Sequence, residues 1–344
     1  MSEEPSFPGI NIIKQLYKTK NSLIYLINDS NSYITEPENK INVLKSILKT
    51  SISGKDYEML KRERDFYDKN KNKKFPKFIH SYQDSLNLYM EISFIEGLNL
   101  SQLLLNDHLL KFNFPKSNIN LYLNLTSQII DMIDNLHKER FIYRDLKLNN
   151  IIIDKNLNLY LVDFGFVKNL PKDSNKTSTI CGTPHMKAPE ILLTKKNKLN
   201  DYDGFCVDIY SIGIILYEIY YGKAPFGYTF NNKNEEEFEE LILNGINNDY
   251  FDNDIDPDLK DLIINCLNIN PQKRFKMNDI KNHKYYNKNG GFDKYIKIND
   301  ELVNISDEQV KSFVDYIKFN GEFKEDYQMN EEKKRMDDLF NNFF

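Results

Sequence analysis

Residues 141–154 read FIYRDLKLNNIIID, and residues 159–168 follow as LYLVDFGFVK. In both, short apolar runs alternate with polar turns, and the turns present two carboxylates, Asp145 and Asp163. Phosphoryl transfer needs such a pair. One carboxylate receives or orients the proton of the attacking hydroxyl, the second holds Mg²⁺, and the amide oxygen of Asn150 can hold another ion. Lys147, two residues after Asp145, can neutralise charge on the moving group. Gly165 supplies the backbone freedom that Asp163 needs to reach the metal.

Working outward, the chain changes character near SFIEG (93–97). Before it, the runs INIIKQLY, SLIYLIND, SYITE, INVLKSIL, FIHSY and LNLYMEISFI favour strands. One helical segment, DYEMLKRERDFYDKN, interrupts them. From about residue 100 the period becomes helical: Leu125, Ile129, Met132, Ile133 and Leu136 fall on one face of LYLNLTSQIIDMIDNLHKE. Further helices are expected at 206–221, 235–245, 257–267 and 277–284. Residues 288–344 read as a charged tail in which SDEQVKSFVDYIKF opens with Ser306 and Gln309, a capping-box pair. The fold class is therefore α+β, with a small sheet-rich half and a larger helical half.

Composition bounds the function. The 344 residues suffice for two lobes, each with its own core, and 40% hydrophobic with 28% charged residues fits a globular chain. A net charge of −5 gives no case for binding nucleic acid or anionic lipid. Cys181, Cys206 and Cys266 are widely spaced and odd in number, so they read as reduced thiols and not as a disulfide frame or zinc site. MSEEPSFPG lacks the regions of a signal peptide, and Ser2 replaces the glycine that myristoylation requires. The longest apolar run, IGIILYEIYYG, is too short to span a bilayer and carries Glu218. The expectation is a cytoplasmic or nuclear protein with no membrane insertion.

The motif order R-D-L-K-x-x-N, then D-F-G, then CGTPHMKAPE resembles a eukaryotic protein kinase. YRDLK, DFGFVK, CGTP and NDIKNHKYY are similar to the AGC group, most like the cyclic-nucleotide-dependent kinases, in which Tyr143 before the Arg-Asp pair is normal. The resemblance covers about residues 12–286. It implies an antiparallel N-lobe sheet with one main helix (12–92), a hinge (93–97), a mostly helical C-lobe (98–287) and a tail (288–344), after an N-terminal extension (1–11). It also implies ATP and Mg²⁺ (or Mn²⁺) as cofactors, a protein substrate, and a regulatory subunit or an upstream kinase as a further partner.

Carried over by residue, the resemblance makes Asp145 and Lys147 catalytic and Asn150 and Asp163 metal ligands. Lys45 of INVLKSIL becomes the cation for the α- and β-phosphates, paired with Glu63 of KRERDFY. Leu16, Ile24, Val43 and Ile152 sandwich the adenine, Ile92 is the gatekeeper, and Ser93 to Ile95 form the hinge contact. Asp208 of VDIYSIG anchors the catalytic-loop backbone. Glu190 of APE and Arg274 of PQKRF form a buried ion pair, and Thr183 of CGTP hydrogen-bonds near Asp145 and Lys147. Thr179 falls where the family is phosphorylated, its phosphate pairing with Arg144 and Lys168. His185 replaces the usual Glu after GTP. At the places where Arg-directed relatives carry carboxylates, this chain has Asn149, Asn99 and a retained Glu218, which implies a weaker demand for upstream Arg. Phe340 and Phe343 of DDLFNNFF match a hydrophobic motif that AGC tails dock onto their own N-lobe, and FKEDY (323–327) resembles a tail segment near the nucleotide.

One departure is large. YKTKNS (17–22) falls where the family writes G-x-G-x-x-G, so Tyr17, Thr19 and Ser22 occupy the glycine positions. Glycine serves there because a Cβ blocks close approach of the backbone to phosphate and because φ > 0 is needed. Two readings follow. The chain is a degraded kinase acting as a scaffold, or it is an active kinase whose hold on phosphate has moved to Lys45, the metals and Lys18 or Lys20, with weakened ATP affinity. The retained Lys45, Glu63, Asp145, Lys147, Asn150 and Asp163 favour the second.

Overall fold

Strand-forming runs rich in Ile, Leu, Val and Tyr build the first half of the molecule. In the computed structural model, which describes residues 10–18, 22–29, 41–104, 118–227 and 235–297, they form a five-stranded antiparallel sheet in the order β1-β2-β3-β5-β4. The strands are β1 (Ile10–Lys18), β2 (Ser22–Asp29), β3 (Ile41–Leu48), β4 (Phe78–Gln83) and β5 (Asn87–Ser93). Helix α1 (Gly54–Lys69) follows β3. Leu44 packs with Tyr25, Ile27 and Tyr89 in a small apolar cluster on one face of this sheet. Because side chains alternate along a strand, Val43 and Lys45 take the opposite face.

The chain then passes through β6 (Leu98–Asn99) into α2 (Leu100–Leu104). β6 pairs with β8 (Ile151–Ile153), which pairs with β9 (Leu159–Leu161). Gly97 is required where these elements meet, since a Cβ there would sit 2.2 Å from the Ile153 carbonyl oxygen. Helix α3 (Ile119–Lys138) carries the predicted apolar face and is capped by the Asn118 side chain, which accepts from Leu121 N. It leads into β7 (Phe141–Ile142), which pairs with β10 (Lys168–Asn169).

Below lie β11 (Lys176–Thr177), α4 (Pro189–Lys195), β12 (Tyr202–Asp203) and α5 (Gly204–Tyr221). Helix α5 starts on an Asp203 side-chain cap and ends on Gly222, whose φ of 67° suits a residue without Cβ. By length and composition α5 could cross a membrane, but it is 83% buried inside the lobe, so its apolar character is that of a core helix. α6 (Glu235–Asn244), α7 (Pro257–Cys266), α8 (Met277–Lys281), α9 (Lys284–Lys288) and α10 (Phe292–Lys297) complete the lobe. The single helix expected at 277–284 is thus two short ones. The break falls at His283, whose ring Nδ1 accepts from Tyr285 N and starts α9. The SYITE strand, the 306–319 helix, FKEDY, Phe340 and Phe343 lie outside the described residues, as do Thr19 and Lys20.

Candidate active site

The site is assembled at the C-terminal end of the short β7, where Asp208 of α5 sits fully buried. Its carboxylate accepts from Tyr143 N and Arg144 N, both at 2.8 Å, and lies 2.9 Å from His137 Nε2. Two backbone donors are thereby fixed, and Arg144 is held at φ 70°. A left-handed conformation costs a non-glycine residue about 1–2 kcal/mol, and the two bonds to a buried carboxylate offset it. His137 was not legible as part of this anchor. It lies on α3, and only folding brings it to α5.

Asp145 follows, buried and surrounded by donors. Thr183 gives it a hydroxyl bond of 2.6 Å and a backbone N–H bond of 3.0 Å. Lys147 Nζ reaches both Asp145 Oδ2 at 2.9 Å and Thr183 Oγ1 at 3.0 Å. The Asn150 amide nitrogen donates to the Asp145 carbonyl at 2.9 Å and to its carboxylate at 3.1 Å. With that nitrogen occupied, the atom Asn150 has left for a cation is its amide oxygen.

The second turn is tied to the first. Val162 N donates to Asn150 O at 2.9 Å, and the Tyr143 hydroxyl donates to Val162 O at 2.5 Å. Tyr143 thus pins the strand end immediately before Asp163. Asp163 is exposed, stands at φ 61°, and accepts from Gly165 N at 3.2 Å. Phe164 is buried and stacks on Phe66 of α1 with centroids 4.2 Å apart, while Phe75 and Tyr143 meet it edge-on. Phe66 stands three residues after Glu63, on the same helical face. Packing of Phe164 on α1 therefore also fixes where Glu63 points.

Glu63 meets Lys45 Nζ at 2.7 Å. Burial works against the lysine charge, but Glu63 and then Asp163 outweigh it, so the Lys45 pKa is raised. Strand register pairs Ile24 with Lys45 and Val43 with Ile92. Cross-strand partners share a face, so these four line one side of the sheet. Leu16 sits at the bulge between Gln15 and Tyr17. Ile152 is half-buried on β8, and Ser93 is held to Lys77, each backbone N–H of the two finding an acceptor on the other residue at 2.9 Å. β1 and β2 form the expected hairpin, with Lys18 opposite Leu23 at its described end.

Oxygen alone is offered to a cation here: the Asp163 carboxylate and the Asn150 amide oxygen. Such a donor set suits a hard ion such as Mg²⁺ or Mn²⁺. The apolar sheet face beside the Lys45 ammonium suits a nucleotide with its phosphates toward the lysine.

Farther off, Arg274 forks onto Glu190 at 2.6 and 2.9 Å. Arg274 also donates to Cys206 O at 2.8 Å and Asn268 O at 2.9 Å. Thr179 is exposed, and its carbonyl accepts from the Tyr202 hydroxyl. Arg144 Nη1 is buried with no hydrogen-bond partner, whereas Lys168 Nζ donates to Thr177 Oγ1 at 2.9 Å. After burial, Arg144 and Arg62 are what depress the Lys168 pKa. Three cations therefore gather beside the Thr179 segment.

Glu218 is buried, and the half-buried His185 stands 3.9 Å from it. Burial pushes Glu218 up to about 8, and burial followed by Lys147 pushes His185 down to about 4. Unfolded glutamate is ionised above its ordinary 4.5 while folded Glu218 keeps its proton to about 8, so this group makes stability fall as pH rises across that window. His185 does the reverse between about 4 and its ordinary 6.5. The two offset one another up to pH 6.5, leaving a net decline of roughly 2 kcal/mol from there to pH 8. Glu218→Gln is expected to flatten that decline in a thermal-melt series; an unchanged slope would contradict the assignment.

A carboxylate pair on tied turns, a lysine–glutamate bridge from strand to helix, and a buried Asp208 anchor are the arrangement of a protein kinase. The chain matches the protein kinase domain over residues 30–286, and it belongs to that family. It is 32% identical over 209 residues to the serine/threonine-protein kinase YPK2/YKR2 of Saccharomyces cerevisiae, and 33% identical over 214 residues to YPK1 of the same yeast. Each match covers 60% of this chain and 28% of the relative. The yeast cAMP-dependent protein kinase type 3 is 31% identical over 212 residues, 60% of this chain and 48% of that one. The chain thus spans less than half the length of these relatives. They agree with the AGC-like character of the C-lobe motifs.

Proposed function

We propose that the protein is an active serine/threonine kinase that transfers the γ-phosphate of Mg-ATP to a protein hydroxyl, with weakened ATP affinity. The observation that carries this reading is the Lys45–Glu63 bridge, closed at 2.7 Å while Phe164 is packed on α1. Both belong to a competent arrangement of the two lobes. Asp145 takes up or orients the hydroxyl proton, and its bonds to Thr183 and Asn150 fix its direction. Lys147 and Lys45 set positive charge beside the transferring and the bridging phosphates. Asp163 and Asn150 would hold a Mg²⁺, which would supply charge neutralisation at the phosphate oxygens. Glycine-loop contacts position phosphate, whereas these charged groups stabilise the transition state, which is the larger effect.

Tyr17 and Ser22 at glycine positions favour the second reading, a nucleotide-binding or empty pseudokinase scaffold. Nucleotide binding and autophosphorylation with and without Mg²⁺, followed by a broad peptide library, separate the two. No Mg²⁺-ATP-dependent transfer leaves the scaffold reading standing. Phosphopeptide mapping of the same reaction is expected to place phosphate on Thr179, where Arg144, Lys168 and Arg62 would receive it. We place the protein in the cytoplasm or nucleus.

Substrates are proposed to need upstream Arg less than those of Arg-directed kinases. Asn149 and Asn99 carry no charge, and Glu218 holds its proton at neutral pH. Peptide pairs differing only in an upstream Arg should have similar kcat/KM below pH 8 and diverge above it, as Glu218 ionises. A strong Arg preference at neutral pH would overturn this.

The tail is proposed to dock on its own N-lobe. A groove between α1 and β4–β5 is lined by Ile47, Leu60, Lys61, Arg64, Leu88 and Met90. DDLFNNFF offers aromatic rings for the apolar wall and two carboxylates for Lys61 and Arg64. Truncation after residue 320 is expected to weaken ATP binding, measured calorimetrically, and an unchanged affinity would rule the contribution out.

A further inference from the structure

Cys206, in the first turn of α5, is 1% exposed, yet its Sγ touches a charged group. Lys276 Nζ lies 2.8 Å from it, and the same ammonium reaches Pro271 O at 3.2 Å. That N···S separation is as short as an ordinary N–H···O bond although sulfur is the larger atom. Lys276 itself is exposed. Its side chain reaches down from the surface onto the sulfur. Burial raises the Cys206 thiol pKa, and the Lys276 hydrogen bond acts against that. Cys181 and Cys266 are free as well; Cys181 feels the charges of Lys187 and Lys168, whereas Cys206 has a lysine ammonium in direct contact.

We propose that Cys206 and Lys276 form an oxidisable pair that a peroxide converts into a covalent lysine–cysteine cross-link. The Cys206 sulfur attacks hydrogen peroxide, the O–O bond breaks, and the thiol proton leaves with the departing hydroxide as water, so that sulfur becomes a sulfenic acid. The ammonium gives one proton to solvent and becomes a neutral amine. The amine lone pair then attacks sulfur, the S–O bond breaks, and hydroxide leaves with a proton from nitrogen as a second water. One peroxide thus oxidises the thiol–amine pair by two electrons to an S–N bond with release of two waters. A second peroxide, consumed with release of one further water, inserts oxygen to give S–O–N.

The link would bear on the site through its neighbours. The Cys206 carbonyl accepts from Arg274, and Asp208, two residues on, holds the catalytic-loop backbone. Tying residue 206 to residue 276 therefore fixes the start of α5 to the segment that carries Arg274. Like a disulfide, it closes a long loop and restricts the unfolded chain.

The test treats the full chain with hydrogen peroxide and reads intact mass, tryptic peptides and melting temperature. The expected product joins the Cys206 and Lys276 peptides, is lighter by two hydrogens (or that and heavier by one oxygen), blocks trypsin after Lys276, melts higher, and reverts under dithiothreitol. Cys206→Ser and Lys276→Arg should each abolish it, the second keeping the charge and lying at the surface. Cys181→Ser should form it undiminished. Oxygen addition at Cys206 with trypsin still cutting after Lys276, or oxidation confined to Cys181, would overturn the proposal.

Discussion

Asp163→Asn is expected to abolish Mg²⁺-ATP-dependent phosphorylation while leaving the fold intact. The side chain is exposed and accepts the 3.2 Å bond from Gly165 N, and asparagine retains an oxygen for it. Asparagine is also at home at the positive φ of this residue. What is lost is the charge proposed to hold the cation, which also helps to raise the Lys45 pKa. Removal of one such electrostatic contact costs at least about a hundredfold in rate. Lys45→Met should have an effect of similar size by a different route, since it removes the phosphate cation and leaves Glu63 buried without its partner. The two variants are distinguishable. Asp163→Asn should bind ATP without Mg²⁺ as wild type does, and Lys45→Met should not. Transfer at wild-type rate by either variant would sink the active-kinase reading built on these residues.

The second large effect concerns stability. Glu190 and Arg274 are both at most 2% exposed and meet in a two-pronged bridge. Breaking such a pair from one side leaves a buried charge uncompensated and costs about 3–5 kcal/mol. Arg274→Met should cost more than Glu190→Gln, because the guanidinium also satisfies the carbonyls of Cys206 and Asn268. Each orphaned carbonyl adds about 1–3 kcal/mol. Replacing both partners by apolar residues of similar volume should recover part of the loss. Urea denaturation of the two single variants and the double variant gives the comparison. Single variants within 1 kcal/mol of wild type, a scale well below the roughly 3–5 expected, would show that the bridge does not carry the stability assigned to it.

Much of this protein could be read from its order of residues alone. Local signals were sufficient wherever the structure is set by neighbours in sequence. The alternation of INVLKSIL made a strand with Lys45 opposite Leu44, and the spacing of Leu125, Ile129, Met132, Ile133 and Leu136 made a helix. Asp145, Asn150 and Asp163 sit on turns short enough for spacing to place them. Among the described residues, the element expected at 277–284 broke at a local cap that His283 provides. The Asn11–Asn28 hairpin was legible too, but the chain alone could not say what the residues at the glycine positions do to bound phosphate.

Tertiary structure decided the rest, because it concerns groups far apart in sequence. His137 becomes part of the Asp208 anchor only when α3 packs beside α5. Tyr143, read as a tolerated replacement, gains a task from its bond to Val162 O. The stack of Phe66 on Phe164 couples α1 to the turn that carries Asp163, and no spacing rule joins residues from the two lobes. Glu218 was legible as a retained acid, yet burial against His185 raises its pKa to about 8 and removes its charge at neutral pH. Residue type sets which charges a site can hold; only the packed environment, through desolvation and the partners it supplies, sets which of them it does hold.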